Sequence, residues 1–253
     1  SNQKWEYIYP SIDYNIYNYN DPLINKSWEV KNTFLNYRDI NKNYTQQISS
    51  EMMSKDINVL KNIGLKFENV FQNRVMYFND TENDFNQLRV FPQISSKISF
   101  PLSKNSDRKS QLIEPILMPI IAPYNNYSND QVISNSNIFS LNRETSLSQW
   151  ESGPRINYGL NWLVNYNQMN INTTVGQSFR LNKNSEDSRN ERSNYFISNT
   201  IDFESFGYIK TDLTIDSDRM YLKDNNINTS INVGKIKFGF DYDYESSNRV
   251  KTS

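Results

Sequence analysis

KIKFGFDYDYE, residues 235–245, decides the fold class because its polarity alternates almost without exception. Drawn out as a strand, it puts Ile236, Phe238, Phe240, Tyr242 and Tyr244 on one face. Lys235, Lys237, Gly239, Asp241, Asp243 and Glu245 fall on the other. A face of this kind has two physical homes. In a soluble β-sandwich the aromatic side is the core, whereas in an outer-membrane barrel it meets lipid and the charged side lines a wet lumen.

The same period of two runs through the chain. In Arg155 to Tyr166, Ile156, Tyr158, Leu160, Trp162, Val164 and Tyr166 oppose Arg155, Asn157, Gly159, Asn161, Leu163 and Asn165. Ile209, Thr211, Leu213 and Ile215 likewise oppose Lys210, Asp212, Thr214 and Asp216. About twelve strands are predicted, at 5–19, 27–39, 43–54, 64–79, 86–103, 109–122, 155–166, 169–182, 193–204, 207–216, 219–233 and 235–246. Several reach the roughly 9–11 residues that a tilted strand needs to cross a bilayer core. Within 49–62, Met53, Ile57 and Leu60 share a helical face, but strand, turn, strand is the expectation there.

The links add a second signal. The two longest, 123–154 and 183–192, are polar and separated by two strands, so an up-and-down meander brings them to one rim. The tight links at 167–168, 205–206 and Gly234 fall at the opposite rim, and only the link near 55–63 spoils the pattern. Long loops on one rim and short turns on the other suit an outer-membrane barrel, with 123–154 as a long extracellular loop. Tyr and Trp toward strand ends, such as Tyr166, Tyr208 and Tyr242, suit its interfacial girdles.

Composition narrows the function. The 27 basic and 28 acidic residues nearly cancel, which gives no ground for a nucleic-acid partner. The chain has no Cys and no His, so thiol nucleophiles, disulfides, thiolate metal sites and the usual general base are all missing. No spacing singles out a carboxylate dyad; neither catalysis nor a cofactor is expected. A mean hydropathy of −0.77 and the lack of a long apolar run exclude a membrane-spanning helix and leave a β-barrel open. The start SNQKWEY carries no signal-peptide pattern, and the expectation is an internal segment of a larger barrel.

Two stretches carry a family resemblance: QLIEPILMPIIAPYNN from Gln111 and NIFSLNRETSLSQWESGPRINYGL from Asn137. Glu114 and Pro115, followed by apolar residues and Pro123, resemble a strand of the LPS-assembly protein LptD family. The second stretch is similar to that family's pattern Asn-Arg-Phe-Ser-Gly-x-Asp-Arg-x-Glu-x-Gly-x-Arg-x-x-x-Gly-Leu. Asn142, Arg143, Glu151, Gly153, Arg155, Gly159 and Leu160 match it, while Glu144, Thr145, Ser146, Ser148 and Gln149 depart from it. EYIYPSIDYN (Glu6 to Asn15) and RVFPQISSKISFPL (Arg89 to Leu102) also look like family strands, so the likeness spans most of the chain.

The resemblance implies an all-β, antiparallel, up-and-down transmembrane β-barrel in the Gram-negative outer membrane, with residues 1–253 as part of a single barrel domain. It implies lipopolysaccharide as cargo, a lipoprotein plug in the lumen and a periplasmic bridge protein that hands the cargo over. Arg143, Glu151 and Arg155 are candidates for a charge network that folds the central loop over or into the lumen. Arg180, Lys210, Lys235 and Lys237 are lumen-facing candidates for phosphate partners. Two rivals remain: a porin-like transport barrel, with an open channel, and a soluble or surface β-sandwich binding module, with Phe238 in its core.

Overall fold

The alternating segments all become strands of one antiparallel sheet. The structure, a computed structural model, describes residues 7–21, 26–38, 44–60, 64–80, 85–124, 133–141, 143, 151–181, 191–234 and 236–246. The strands are β1 (Tyr7–Asp21), β2 (Lys26–Arg38), β3 (Tyr44–Leu60), β4 (Leu65–Asp80), β5 (Phe85–Ser99), β6 (Leu102–Ser106) and β7 (Lys109–Ile121). After the central link come β8 (Arg155–Tyr166), β9 (Met169–Arg180), β10 (Tyr195–Asp202), β11 (Gly207–Ile215), β12 (Leu222–Val233) and β13 (Ile236–Glu245). Each main strand pairs with the next in sequence, from β1 through β5 to β7 and on to β13, and β6 also lies against β7. This is the up-and-down order of a barrel wall. The sheet is not closed, and β1 and β13 are its edges.

Two expectations need correcting. The strand predicted over 86–103 is interrupted at Phe100 and Pro101, because proline brings no N–H to a ladder. The Phe100 N–H reaches the Pro115 carbonyl at 3.2 Å, and β6 then continues along β7 from Leu102↔Ile113 to Ser106↔Lys109. The predicted turn inside 49–62 is absent, since β3 runs to Leu60 with Lys55 opposite Glu68 and Ile57 opposite Lys66. Tertiary pairing with the long strand β4 overrides the local helical spacing. The link that spoiled the pattern therefore shrinks to 61–64. Links at one rim are now short, with 107–108, 167–168 and 234–235 among them; the other rim carries 122–154 and 181–194. Asn167 and Gly234 take φ of 49° and 62°, the left-handed conformations such tight turns require.

Register assigns the faces. Asn226↔Asp243, Asn228↔Asp241 and Ser230↔Gly239 share the polar side of the sheet. Ile227↔Tyr242, Thr229↔Phe240 and Ile231↔Phe238 share the other. The Asn226 and Asn228 amides donate to the Asp243 and Asp241 carboxylates, so the polar face carries its own hydrogen-bond ladder.

On β5 and β8 burial is inverted relative to a water-soluble protein, while the edge strand β13 is open on both faces. Phe238 and Phe240 are 56% and 62% exposed. Along β5, Leu88, Val90 and Ile94 are exposed while Phe91, Gln93, Ser95 and Ser99 are buried. Trp162, Tyr158 and Tyr166 of β8 are open on the same apolar side, and Asn157 and Arg155 are buried on the other. A sandwich would bury the Phe238 face, and here no described residue covers it. Tyr208 pairs with Ser230 on the polar side, so it is not part of a lipid-facing girdle. An apolar face without a cover suits contact with hydrocarbon, whose depth-dependent penalties fall on charge rather than on Phe or Leu.

The face assignment makes a direct prediction. In the complete chain refolded into lipid vesicles, Phe240→Arg should cost about 2–4 kcal/mol near mid-bilayer. Lys237→Gln on the opposite face should change stability by less than about 0.5 kcal/mol. Denaturant titrations that give equal costs for the two would remove lipid from the Phe240 face.

Candidate functional site

In the longest link, 122–154, the described stretches 133–141, 143 and 151–154 lie on the polar face. The register of β7, β8 and β9 builds the platform that receives them. Ile120, Arg155 and Arg180 form one row across the three strands, Met118, Asn157 and Ser178 the next, and Ile116, Gly159 and Gly176 the third. Two glycines side by side leave a notch in the wall. The link fills it: a Cβ on Gly176 would meet Ile138 at 2.9 Å, and one on Gly159 would meet the Phe139 ring at 2.8 Å. The knob is held in a tight turn, where the Ser134 N–H donates to the Asn137 side chain at 2.8 Å and the Ser140 N–H to the Asn137 carbonyl at 2.9 Å. Ile138, Ile116, Met118, Ile120 and Phe196 are all buried beneath or beside it. A small core thus sits on the nominally polar side.

Glu151 ties the far end of the link to the wall. Its carboxylate accepts the Arg143 Nε at 2.8 Å on Oε2 and the Arg143 Nη2 on Oε1, the forked geometry that guanidinium and carboxylate favour. Arg155 Nε lies 3.2 Å and Arg180 Nη2 3.4 Å from Oε1. All four side chains are buried, with Glu151 and Arg155 at 0%. Backbone groups join in. Arg180 Nη1 reaches the Ser152 carbonyl at 3.3 Å, Arg155 Nη2 donates to the Leu141 carbonyl, and Gln93 Nε2 from β5 donates to the Glu151 carbonyl at 2.6 Å. Gly153, at φ 84°, lies against the Tyr124 ring and closes the base of the link by donating its N–H to the Pro123 carbonyl at 3.1 Å. Side chains on β5, β8 and β9 are therefore bound to three points of the same segment.

Burial by itself pushes the Glu151 carboxyl up, but the guanidinium groups of Arg155, Arg143 and Arg180, with the Arg143 hydrogen bond, outweigh it and hold it below the ordinary carboxylate range. The cluster is an ion-pair network of one carboxylate and three guanidinium groups. What it can do is hold: removing one partner of a buried ion pair leaves uncompensated charge, at a cost of about 3–5 kcal/mol.

The expected network of Arg143, Glu151 and Arg155 is thus assembled, and the described residues around it lie against the wall. Arg180 does face the polar side, but the expectation of a solvated, phosphate-ready side chain is corrected: it is 7% exposed and engaged with Glu151 and Ser152. Arg180 stands opposite Arg155 across the β8–β9 hairpin, and only a shared carboxylate lets two guanidinium groups sit there. Lys210 is half exposed and pairs with Asp212 at 2.9 Å, and Lys237 is exposed. Asn142 and Lys235 lie outside the described residues. Glu114 is half-buried on the polar face beside Asn161, six positions along β7 from the Ile120 row, and Pro115 is exposed on the opposite face. Neither joins the cluster. Gly176, Gln93, Asn157, Ser178 and Ile138 contribute to the site without having been singled out. The glycine pair could have been found from the hairpin, since Gly159 and Gly176 are equidistant from the 167–168 turn.

Two outcomes are expected. Gly176→Leu should unseat the Ile138 knob at a cost of about 1–3 kcal/mol, read as faster limited proteolysis within 133–143. Glu151→Gln should have a larger effect and a distinct pH signature. The folded Glu151 carboxyl titrates below its unfolded value, so its stabilisation is complete above about pH 4.3 and is lost as pH falls through the folded value. Protease protection of the link should therefore fall on acidification in the natural chain. In Glu151→Gln it should be low at every pH.

No curated protein matches the chain. A sequence model of the family described as LptD, LPS transport system D, matches residues 7–252. That match covers all thirteen strands, both edges of the sheet and the long link, so the chain belongs to the LptD family.

Proposed function

We propose that this chain forms wall strands of a Gram-negative outer-membrane barrel that inserts lipopolysaccharide into the outer leaflet. The observation that carries the proposal is the inverted burial on β5 and β8: Leu88, Val90, Ile94 and Trp162 open on one side, Gln93, Ser95, Asn157 and Arg155 buried on the other. Family membership supplies the cargo. Lipopolysaccharide has acyl chains that must stay out of water and a phosphorylated sugar part that must stay out of hydrocarbon. A wall with one apolar and one polar face, joined through a lateral seam, accommodates both parts at once without covalent chemistry. In this arrangement 122–154 is an extracellular loop folded into the lumen, and 1–253 belongs to a single barrel domain. Of the described candidates, Lys210 and Lys237, on the polar side of β11 and β13, are the ones placed to meet passing phosphates. A lumenal lipoprotein plug and a periplasmic bridge protein complete the assembly.

A porin-like channel shares the wall but predicts a clear lumen, and the buried link counts against one. Depleting the protein in its host and following pulse-labelled lipopolysaccharide separates the two. Transport requires that label stall before the outer leaflet while other barrels still assemble. Normal arrival of the label with reduced solute uptake would replace the transport reading by a channel.

A further inference from the structure

Of the ladders between main strands, the one joining β5 to β7 has the shortest register. β4 and β5 stay paired without a break from Lys66↔Ser99 to Asp80↔Phe85, and β7 and β8 from Lys109↔Tyr166 to Ile120↔Arg155. β5 and β7 are in register only at Ile94↔Ile121, Ser95↔Ile120, Ile98↔Leu117 and Ser99↔Ile116. Five of the chain's eight prolines stand on these two strands or within two residues of their ends: Pro92, Pro101, Pro115, Pro119 and Pro123.

Their positions strip donors from one side. In an antiparallel ladder the N–H and C=O of a residue point to one neighbouring strand, and those of the next residue point to the other. The Phe100 N–H meets the Pro115 carbonyl at 3.2 Å, so Pro115, Leu117, Pro119 and Ile121 of β7 address β5. Two of those four bring no N–H. Ile116, Met118 and Ile120, which address β8, all keep theirs. Ile94, opposite Ile121, addresses β7 in turn, and so does Pro92 two residues earlier. Continued by two positions, the register would set Pro92 against Pro123, where neither strand has a donor. The ladder stops short of that point, and the Pro123 carbonyl accepts the Gly153 N–H at 3.1 Å.

A second connection spans the same place on the polar face. Gln93 Nε2 of β5 donates to the Glu151 carbonyl at 2.6 Å, while the Glu151 carboxylate lies 3.2 Å from Arg155 Nε on β8 and 3.4 Å from Arg180 Nη2 on β9. This bridge runs from β5 to β8 and β9 without using the backbone of β7. Gln93, Glu151 and Arg155 are all 0% exposed, so bulk water does not compete for its bonds. We infer that the in-folded link is a clasp, in which the bridge from Gln93 through Glu151 to Arg155 and Arg180 holds shut a proline-weakened seam between β5 and β7. When the clasp lets go, the wall yields first along this line, between its lipid-facing residues Leu117 and Ile121 and β5. The clasp involves no cargo, so it stands or falls independently of the transport proposal.

The test is residue-resolved amide hydrogen exchange on the complete natural chain in lipid vesicles, without lipopolysaccharide. β7 carries its own control, since the Leu117 and Ile121 N–H groups face the seam while those of Ile116, Met118 and Ile120 face β8. In the natural chain the two seam amides should be less protected than the three controls. Gln93→Ala cuts the clasp at its β5 end and should speed exchange at Leu117 and Ile121 about two- to tenfold, the worth of one hydrogen bond, with the controls unchanged. Pro119→Val restores a donor to the seam and should slow the same two amides by a similar factor; it leaves Gln93 in place, so the outcome does not hang on the first variant folding. Equal protection of the two sets in the natural chain, a Gln93→Ala variant that speeds both sets alike, or seam amides indifferent to Pro119→Val would overturn the inference.

Discussion

Register is the constraint on which everything else here depends. Because side chains in a strand alternate with a period of two, a slip of one residue between β12 and β13 would carry Phe238, Phe240 and Tyr242 to the side of Asn226 and Asn228, and Asp241 and Asp243 to the other. No intermediate arrangement exists. Each strand is locked to the faces of its neighbours, and the lock propagates through the ladder from β1 to β13. The amide–carboxylate pairs Asn226–Asp243 and Asn228–Asp241 work in the same direction, since a one-residue slip would part each amide from its carboxylate. Hydrogen bonding of the backbone and segregation of the side chains are then satisfied by one choice.

The same lock explains why the in-folded link binds where it does. On β8 and β9 the register brings together two glycines, then Asn157 and Ser178, then two arginines. The first pair creates space, the second supplies short polar groups, and the third creates a charge problem. The link resolves all three. Ile138 and Phe139 fill the space, the Arg143 guanidinium reaches Ser178, and Glu151 stands between Arg155 and Arg180. A segment of 33 residues, 122–154, loses much conformational entropy when pinned, and apolar burial at Ile138 with one multiply bonded carboxylate opposes that loss. Remove either anchor and the other remains; the two lie on the same platform with the Asn157–Ser178 row between them, and are expected to couple through it.

The strands were legible because alternation is a local signal. The stretch 235–245 and the segment 155–166 state their faces outright, and the edge-to-edge order follows from short links. Two features were not legible for reasons of the same kind. The break at Phe100–Pro101 depends on which strand edge needs an N–H, and the continuity of β3 past Lys55 depends on β4 being long enough to pair with it. Both are properties of the partner strand. At the site, the motif residues Arg143, Glu151 and Arg155 were visible in sequence, but their common target was not. Gln93 is 58 positions from Glu151 and Arg180 is 29, distances at which sequence carries no spacing signal.

Arg180 shows how a face assignment can be right while the role is wrong. Alternation places it on the polar side of β9, and an arginine on a lumen wall is ordinarily solvated. The residue opposite decides otherwise. Arg155 stands across the hairpin from it, so the pair needs a shared anion, and the chain supplies one from its longest link. Like charges directly opposite on neighbouring strands are destabilising when left alone. Two arginines equidistant from a two-residue turn are therefore a sequence-level sign that something acidic folds down onto that face. Here the acid is Glu151, four residues before the first of them, with Gly153 in the left-handed conformation between the two.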